Sequence, residues 1–247
     1  MAKRRLDSLL VDRGLAPDRE KAQALVMAGQ VSVDERPAPK PGTLVDEHSP
    51  LAVAEGRRFV GRGGVKLEHA LKAFGLDVSG LVAADIGAST GGFTDCLLQR
   101  GAARVYAIDV GKGQLDYGLR NDPRVDVWEG VNARELGPLT EPVDIITIDV
   151  SFISLRLVLP NIFGMFLLGL GDVVVLLKPQ FEARKGEVPR GGVIRDPQLH
   201  ATLIGRFANW CVSNEFRIVD LTSSPILGAD GNREFFFWLR PDFGGQR

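Results

Sequence analysis

The segment "VAADIGASTGGFTDCLLQRGAARVYAIDVG", Val82 to Gly111, joins two apolar runs through a glycine-rich turn and a helix-like stretch, and the second run ends on an acid. Strand, tight turn, helix and strand in that order make a βαβ unit, which forces a parallel sheet with its ligand site over the carboxyl ends of the strands. A carboxylate about 20 residues beyond the glycines is the spacing found in nucleotide folds. The ligand stays open at this point, because a glycine loop alone also serves as a purely structural turn.

The pattern continues along the chain. Apolar runs fall at Leu81 to Ile86, Arg104 to Asp109, Val125 to Trp128, Val143 to Asp149, Asp172 to Leu177, Arg217 to Leu221 and Glu234 to Leu239, with helical stretches between them. The last two are joined by "TSSPILGADGNR", too short for a crossover helix, so they should pair antiparallel. The expected fold is α/β: a Rossmann-like sheet of seven strands, the last antiparallel, over residues 64–242. A small N-terminal α+β domain is expected at 1–58, with a linker at 59–63.

An antiparallel final strand is familiar from methyltransferases that use S-adenosylmethionine rather than from dinucleotide enzymes. "DIGASTGGF" lacks the GxGxxG spacing used for a pyrophosphate, and adenosylmethionine has no phosphate to cradle. Gly87, Gly91 and Gly92 would let the backbone approach the methionine part, with Asp85 and Thr90 near its charged end and Asp109 accepting from both ribose hydroxyls. Ser89, Phe93, Val110 and Asp149 complete the expected cofactor contacts, and Asn132 in "VNAR" is expected beside the adenine. No metal site is expected.

Other features narrow the class. Cys96 and Cys211 stand without CxxC or Cys/His spacing and read as small buried apolar residues. Asp7 and Asp12 interrupt what would be the apolar part of a signal peptide, so a cytoplasmic protein is expected. "NIFGMFLLGLGDVVVLL", Asn161 to Leu177, is apolar, but Gly164, Gly169, Gly171 and Asp172 break it, as at a helix end turning into a strand; it reads as buried core, not a membrane span. The formal charge is -1, and residues 1–66 carry 12 Lys/Arg against 9 Asp/Glu, so any polyanion site must be local.

Ahead of the sheet, "RRLDSLLVDRGLAPDREKAQALVMAGQVSVDE" divides into two short amphipathic helices and a strand. Leu6, Leu9 and Leu10 share one face and Ala22, Leu25 and Val26 the next. Asp18 is placed to cap the second helix and Gly29 to end it. The order Arg5-Leu6-Asp7, Asp18-Arg19-Glu20-Lys21-Ala22, Ala28-Gly29-Gln30-Val31 and Val33-Asp34 resembles the alpha-L RNA-binding module of ribosomal and tRNA-directed proteins. Asp18 stands where Ser is usual and Glu35 where Gly is usual. The resemblance implies RNA phosphate contacts at Arg4, Arg5, Arg19 and Lys21, and Arg62 at the start of the large domain is an added candidate.

The methyl acceptor is narrowed by what is missing. "ITIDVSFIS" has no Pro-Pro pair of an adenine amino-methyltransferase, and no cysteine stands there for carbon-5 chemistry on a pyrimidine. At strand ends lie Asp149, Lys178 in "VVLLKPQF" and Glu234 in "GNREFFFW", with Lys66 in "RGGVKL" before the first strand. A hydroxyl acceptor must lose its proton as the new bond forms, and a lysine depressed by desolvation and a neighbouring cation can take it. The four residues resemble the Lys-Asp-Lys-Glu set of FtsJ-like ribose methyltransferases, which implies Lys178 as base and Lys66, Asp149 and Glu234 as groups that position the hydroxyl.

Front module, "RGGVKL", "DIGASTGGFTD", "IDVSFISL", "LLKPQFE" and "GVIRDP" together resemble the TlyA family over almost the whole chain. The resemblance implies 2'-O-methylation of cytidine in ribosomal RNA, with rRNA or ribosomal subunits as partner. It also implies that "FEARKGEVPRGGVIRD", Phe181 to Asp196, is a mobile loop over the RNA. The haemolysin label carried by many such proteins raises a membrane-lytic alternative, for which no exposed apolar span is found, and a non-catalytic RNA-binding assembly factor is the third reading.

Overall fold

A computed structural model describes residues 3–38, 40–53, 58–166 and 171–242. The chain divides into two compact units, Met1–Arg58 and Phe59–Arg247. Residues 59–63, expected as linker, bear on the large unit: Phe59 is buried in its core and the first helix of that unit already begins at Arg62. The glycine-flanked stretch "EGRRFVGRGG", Glu55 to Gly64, where the sequence places the junction between the two domains, lies partly outside the described residues.

In the small unit, α1 (Leu6–Asp12) and α2 (Arg19–Met27) pack their apolar faces together, burying Leu6, Leu9, Leu10, Ala22 and Val26; Leu25 is only half-buried. Asp18 caps α2 by accepting from the Lys21 N–H at 2.7 Å, and Gly29 ends it at φ 68°. Strand β1 (Lys3–Arg5) pairs antiparallel with β4 (Leu44–Asp46), while β2 (Val31–Val33) pairs with both β3 (Arg36–Pro37) and β5 (Leu51–Val53). The β2–β3 hairpin turns on Asp34 and Glu35, which have φ of 49° and 63°. Two consecutive left-handed residues are what a two-residue hairpin of native twist requires, and glycine at the second is the low-energy choice.

The large unit opens with α3 (Arg62–Phe74), which Gly75 ends in the left-handed region. Then follow β6 (Val82–Ile86), α4 (Gly92–Gln99), β7 (Arg104–Asp109), α5 (Tyr117–Arg120), β8 (Val125–Glu129) and β9 (Ile145–Ile148). The remainder is β10 (Asp172–Leu177), α6 (Pro179–Glu182), α7 (Pro197–Ser213), β11 (Phe216–Ser223) and β12 (Phe235–Pro241). The sheet order is β11-β12-β10-β9-β6-β7-β8, parallel from β10 to β8, with β12 antiparallel to both of its neighbours.

Alternate residues of each strand serve opposite faces, as a sheet covered on both sides demands. Ala83, Val105, Ile145, Val174 and Phe236 join one core; Ala84, Tyr106, Ile146, Val173 and Phe237 join the other. Cys96 and Cys211 are free and buried in these cores.

One connection departs from expectation. No α-helix joins β9 to β10 among the described residues; three 3-10 turns, Leu155–Leu157, Leu159–Asn161 and Phe163–Met165, take its place. Pro160 and Gly164 interrupt a continuous helix there, while Val158, Leu159, Ile162 and Met165 still bury fully. Gly169 lies outside the described residues, and no described helix is long and apolar enough to cross a membrane.

Candidate active site

Parallel strands deliver their last residues to one edge, and the register shows which meet. Val175 of β10 pairs with Ile148 of β9, and Leu177 pairs with Phe235 of β12. The next residues beyond those ladders are Asp149, Lys178 and Glu234, so three of the four charged candidates emerge from adjacent strands. The Lys178 amine lies 2.7 Å from Asp149 Oδ1 and donates to Ser151 Oγ at 2.8 Å. The fourth, Lys66 on the buried side of α3, donates to Glu234 Oε2 at 2.6 Å.

The Lys66 and Glu234 side chains are 9% and 3% exposed, against 11% and 20% for Lys178 and Asp149. The first pair is therefore sealed and the second is open to a ligand. A buried charge pair of this kind costs desolvation and persists where its geometry is used, or where breaking it would strand a charge.

Beside Lys178 the glycine-rich turn shapes a hollow of about 170 Å³, lined by Gly63, Gly87, Ser89, Thr90, Gly92, Phe93, Asp149, Ser151 and Lys178. A larger one of about 530 Å³ shares Gly87, Ser89, Asp149 and Ser151 and extends to Asp109, Val110, Asn132, Phe152 and Ile153. Asp109 accepts from the Ser89 N–H with one oxygen, at 2.8 Å, and from the Gly111 N–H with the other, at 2.7 Å. Each oxygen keeps a lone pair for a further donor. Asn132 uses its carbonyl to cap the turn at Arg134, leaving its amide N–H groups for the cleft.

Two expected cofactor residues do not line either hollow. Asp85 is fully buried, accepting from Thr94 Oγ1 at 2.7 Å and Thr147 Oγ1 at 3.2 Å. Burial pushes its carboxyl up to about 7, opposed by the Thr94 bond and aided by the nearby Asp149 charge. Gly91 instead packs under Leu119 and Leu115. The glycines also answer to the protein itself: a Cβ on Gly87, at φ 87°, would lie 2.4 Å from the Asp149 carbonyl oxygen, and one on Gly92 would press on Gly63 and Gly64.

Other residues escaped the sequence reading. Ser151 sat inside a quoted motif without a role. Glu182, nearly buried, accepts from Ser154 Oγ and from the Leu155 N–H, both at 2.7 Å, tying the segment after Asp149 to the helix after Lys178. Burial raises its carboxyl, against those two bonds and the Arg156 charge. Asn232 is the third. It joins Gly192 and Ile194, and Glu187 binds Arg206 at 2.7 and 2.9 Å, so the segment expected as a mobile loop is fastened at several points.

The RNA candidates of the small unit are already engaged. Arg5 and Arg19 both bind the buried Asp7 carboxylate, at 2.7 and 3.1 Å, and Gln23 adds a third donor at 3.0 Å. Arg5 beside it holds the Asp7 carboxyl far below the usual carboxylate range. Arg4 pairs with Asp12 at 2.5 Å, and Lys21 has no side-chain partner among the described residues. With side chains about half exposed, 46% and 54%, Arg5 and Arg19 still turn spare N–H groups to solvent. In the large unit Arg62 donates to the Leu227 carbonyl at 2.5 Å.

With this geometry in place, comparison with known proteins decides the family. The FtsJ-like methyltransferase model matches residues 59–241 and the S4 domain model residues 4–49. The Mycobacterium tuberculosis 16S/23S rRNA (cytidine-2'-O)-methyltransferase TlyA is 48% identical over 97% of this chain and 91% of its own. The chain belongs to the TlyA family of FtsJ-like methyltransferases.

Hemolysin A of Brachyspira hyodysenteriae is 42% identical over 94% of this chain and 97% of its own. A Streptococcus thermophilus protein solved as a candidate hemolysin shares the whole architecture, with TM-score 0.75 and 42% identity over 99% of this chain and 90% of that one. An S-adenosylmethionine-dependent methyltransferase from Mesorhizobium loti, 15% identical with TM-score 0.51 over 70% of this chain and 96% of its own, shares the fold of the large unit. For this TlyA-family chain, the seven-stranded sheet and its antiparallel β12 are those expected from the sequence.

Proposed function

We propose that this protein is an S-adenosylmethionine-dependent 2'-O-methyltransferase that acts on cytidine ribose in ribosomal RNA. The observation that carries the reading is Lys178, whose amine stands between Asp149 and Ser151 on the wall of the hollow shaped by the glycine turn. The curated relative at 48% identity is named for that reaction.

The cleft suits the methyl donor by its chemistry. It offers carboxylates at Asp109 and Asp149, backbone N–H groups, hydroxyls and the apolar Val110 and Ile153, with Lys178 and Arg134 its only cationic side chains among the lining residues. That set fits a cationic ligand without phosphate and bearing ribose hydroxyls. Asp109 would hold the ribose, Asn132, Val110 and Ile153 the adenine end, and Ser89, Thr90, Phe93 and the glycines the methionine part. When bound, the donor supplies an electrophilic methyl group on sulfonium.

The chain's own part is to seat and deprotonate the acceptor. The hydroxyl proton would pass to the Lys178 amine as the 2'-oxygen takes the methyl group that the donor supplies. Asp149 and Ser151 fix that amine in place, and the nearly sealed Lys66–Glu234 pair holds α3 to the turn before β12. Asp85 takes no direct part in holding the donor in this reading; it braces the turn through Thr94 and Thr147.

The S4 unit supplies the RNA grip through Arg5, Arg19 and Lys21, phosphate contacts that position without reading sequence. The test supplies labelled methyl donor to ribosomal subunits with wild type and Lys178→Ala, followed by mapping of methylated riboses. Equal transfer by both proteins removes Lys178 as the base, and label on base or protein instead of ribose overturns the reaction.

A further inference from the structure

The turn that carries Glu234 and the segment that follows α6 are fastened to each other by one side chain. Asn232 is 1% exposed; its Nδ2 donates to the Gly192 carbonyl at 3.0 Å and its Oδ1 accepts from the Ile194 N–H at 2.9 Å. The Asn232 backbone carbonyl in turn accepts from the Gly228 N–H at 2.8 Å, and Gly228 lies against the Glu234 carboxylate, which a Cβ there would meet at 2.4 Å. A segment with Gly186, Gly191 and Gly192 at positive φ has much conformational freedom to lose, so its order rests on such anchors.

What the anchor holds is basic. Arg190 and Arg195 are exposed and, like Arg233 beside Asn232, have no carboxylate partner among the described residues. Elsewhere in the same unit cations are neutralised, Arg206 by Glu187 and Arg240 by Asp172. The segment starts six residues after Lys178 and is tied to Asn232, two residues before Glu234, so the chain joins it at both ends to residues of the two ion pairs. Unpaired arginines held at a fixed place beside a sugar-binding site are matched by the phosphates that flank the sugar.

We infer that Asn232 is a positioning residue for the RNA substrate, holding the 184–195 segment so that its Arg190 and Arg195, together with Arg233 beside Asn232, meet the phosphates flanking the target ribose. This rests on the 2'-O-methyl transfer proposed above and adds to it the residue that builds the substrate clamp. Asn232 itself touches neither sugar nor donor.

The experiment compares full-length wild type, Asn232→Ala and the double variant Arg190→Ala/Arg195→Ala in steady-state methyl transfer to ribosomal subunits over a series of salt concentrations. Binding of adenosylhomocysteine is read by calorimetry and folding by thermal melting. Both variants should raise KM for subunits about tenfold, change kcat less than about twofold, and flatten the dependence of log kcat/KM on log salt by about one to two. Adenosylhomocysteine affinity should be unchanged.

The double variant removes only exposed side chains, so it reports on the clamp even where Asn232→Ala melts early. Wild-type KM and salt slope in the double variant overturn the inference while leaving methyl transfer intact. No transfer to subunits by wild type overturns the parent reading and this one with it.

Discussion

Gly87 and Asp149 meet backbone to backbone: the position of a Gly87 Cβ is 2.4 Å from the Asp149 carbonyl oxygen, and the Asp149 N–H donates to the Ile86 carbonyl at 2.9 Å. The turn that bounds the donor cleft and the strand end that carries an acid beside Lys178 are thereby one unit. Gly87→Ala should push them apart as well as strain φ 87°, costing about 2–4 kcal/mol of stability and nearly all transfer. Urea titration and the transfer assay check it; a fully active, fully stable variant would refute the close contact.

Lys178 and Lys66 should separate by effect. Lys178→Met removes the proposed proton acceptor and should lower kcat about 10²- to 10⁴-fold with little change in adenosylhomocysteine affinity. Lys66→Met strands the Glu234 carboxylate in a nearly sealed place, so it should lower stability as well, by about 3 kcal/mol. Melting curves alongside kcat distinguish the two.

Asp85 makes stability depend on pH. Its folded carboxyl titrates at about 7, above the ordinary value of 3.8, so the folded protein holds a proton that the unfolded chain releases. The contribution is fully present below about pH 4 and is lost as pH rises through 7. Asp85→Asn, which cannot ionise, should melt about 4 °C or more above wild type at pH 8, with the gap closing toward pH 5. A gap that does not change with pH would contradict the assignment.

In the small unit Asp7 runs the other way. Its carboxyl is held low by Arg5 first, with Gln23 and Arg19 adding to the effect against its burial, so its contribution is present above about pH 4 and is lost on acidification. Asp7→Ala should cost about 2–3 kcal/mol and free Arg5 and Arg19 from their fixed orientation, weakening RNA binding although two cations lose their counter-charge. Tighter binding would show that Asp7 only neutralises them.

Glu35→Gly should stabilise the same unit by about 1 kcal/mol, because Glu35 stands at φ 63° in the β2–β3 turn. Chemical denaturation is the measure, and an unchanged midpoint would show that the turn carries no strain.

Much of this architecture could be read from residue patterns because strand periodicity and the glycine turn are local signals. The pairing of β12 with β11 followed from the length of its connection; in the structure Lys66 pairs with Glu234, and Lys178 with Asp149. What escaped depended on distant partners. No local pattern distinguishes Asp85, bound by Thr94 and Thr147, from a cofactor ligand; likewise Arg5 and Arg19 read as free cations until Asp7 is seen between them. Asn232 looked like a turn residue, its bonds spanning 38 and 40 positions. The 3-10 crossover was misjudged because apolar content alone does not separate a helix from packed turns.

Strand β12 follows β11 along the chain yet sits inside the sheet, between β10 and β11. β11 therefore gains its hydrogen-bonded neighbour only once β12 has been inserted, and the same insertion carries Glu234 to Lys66.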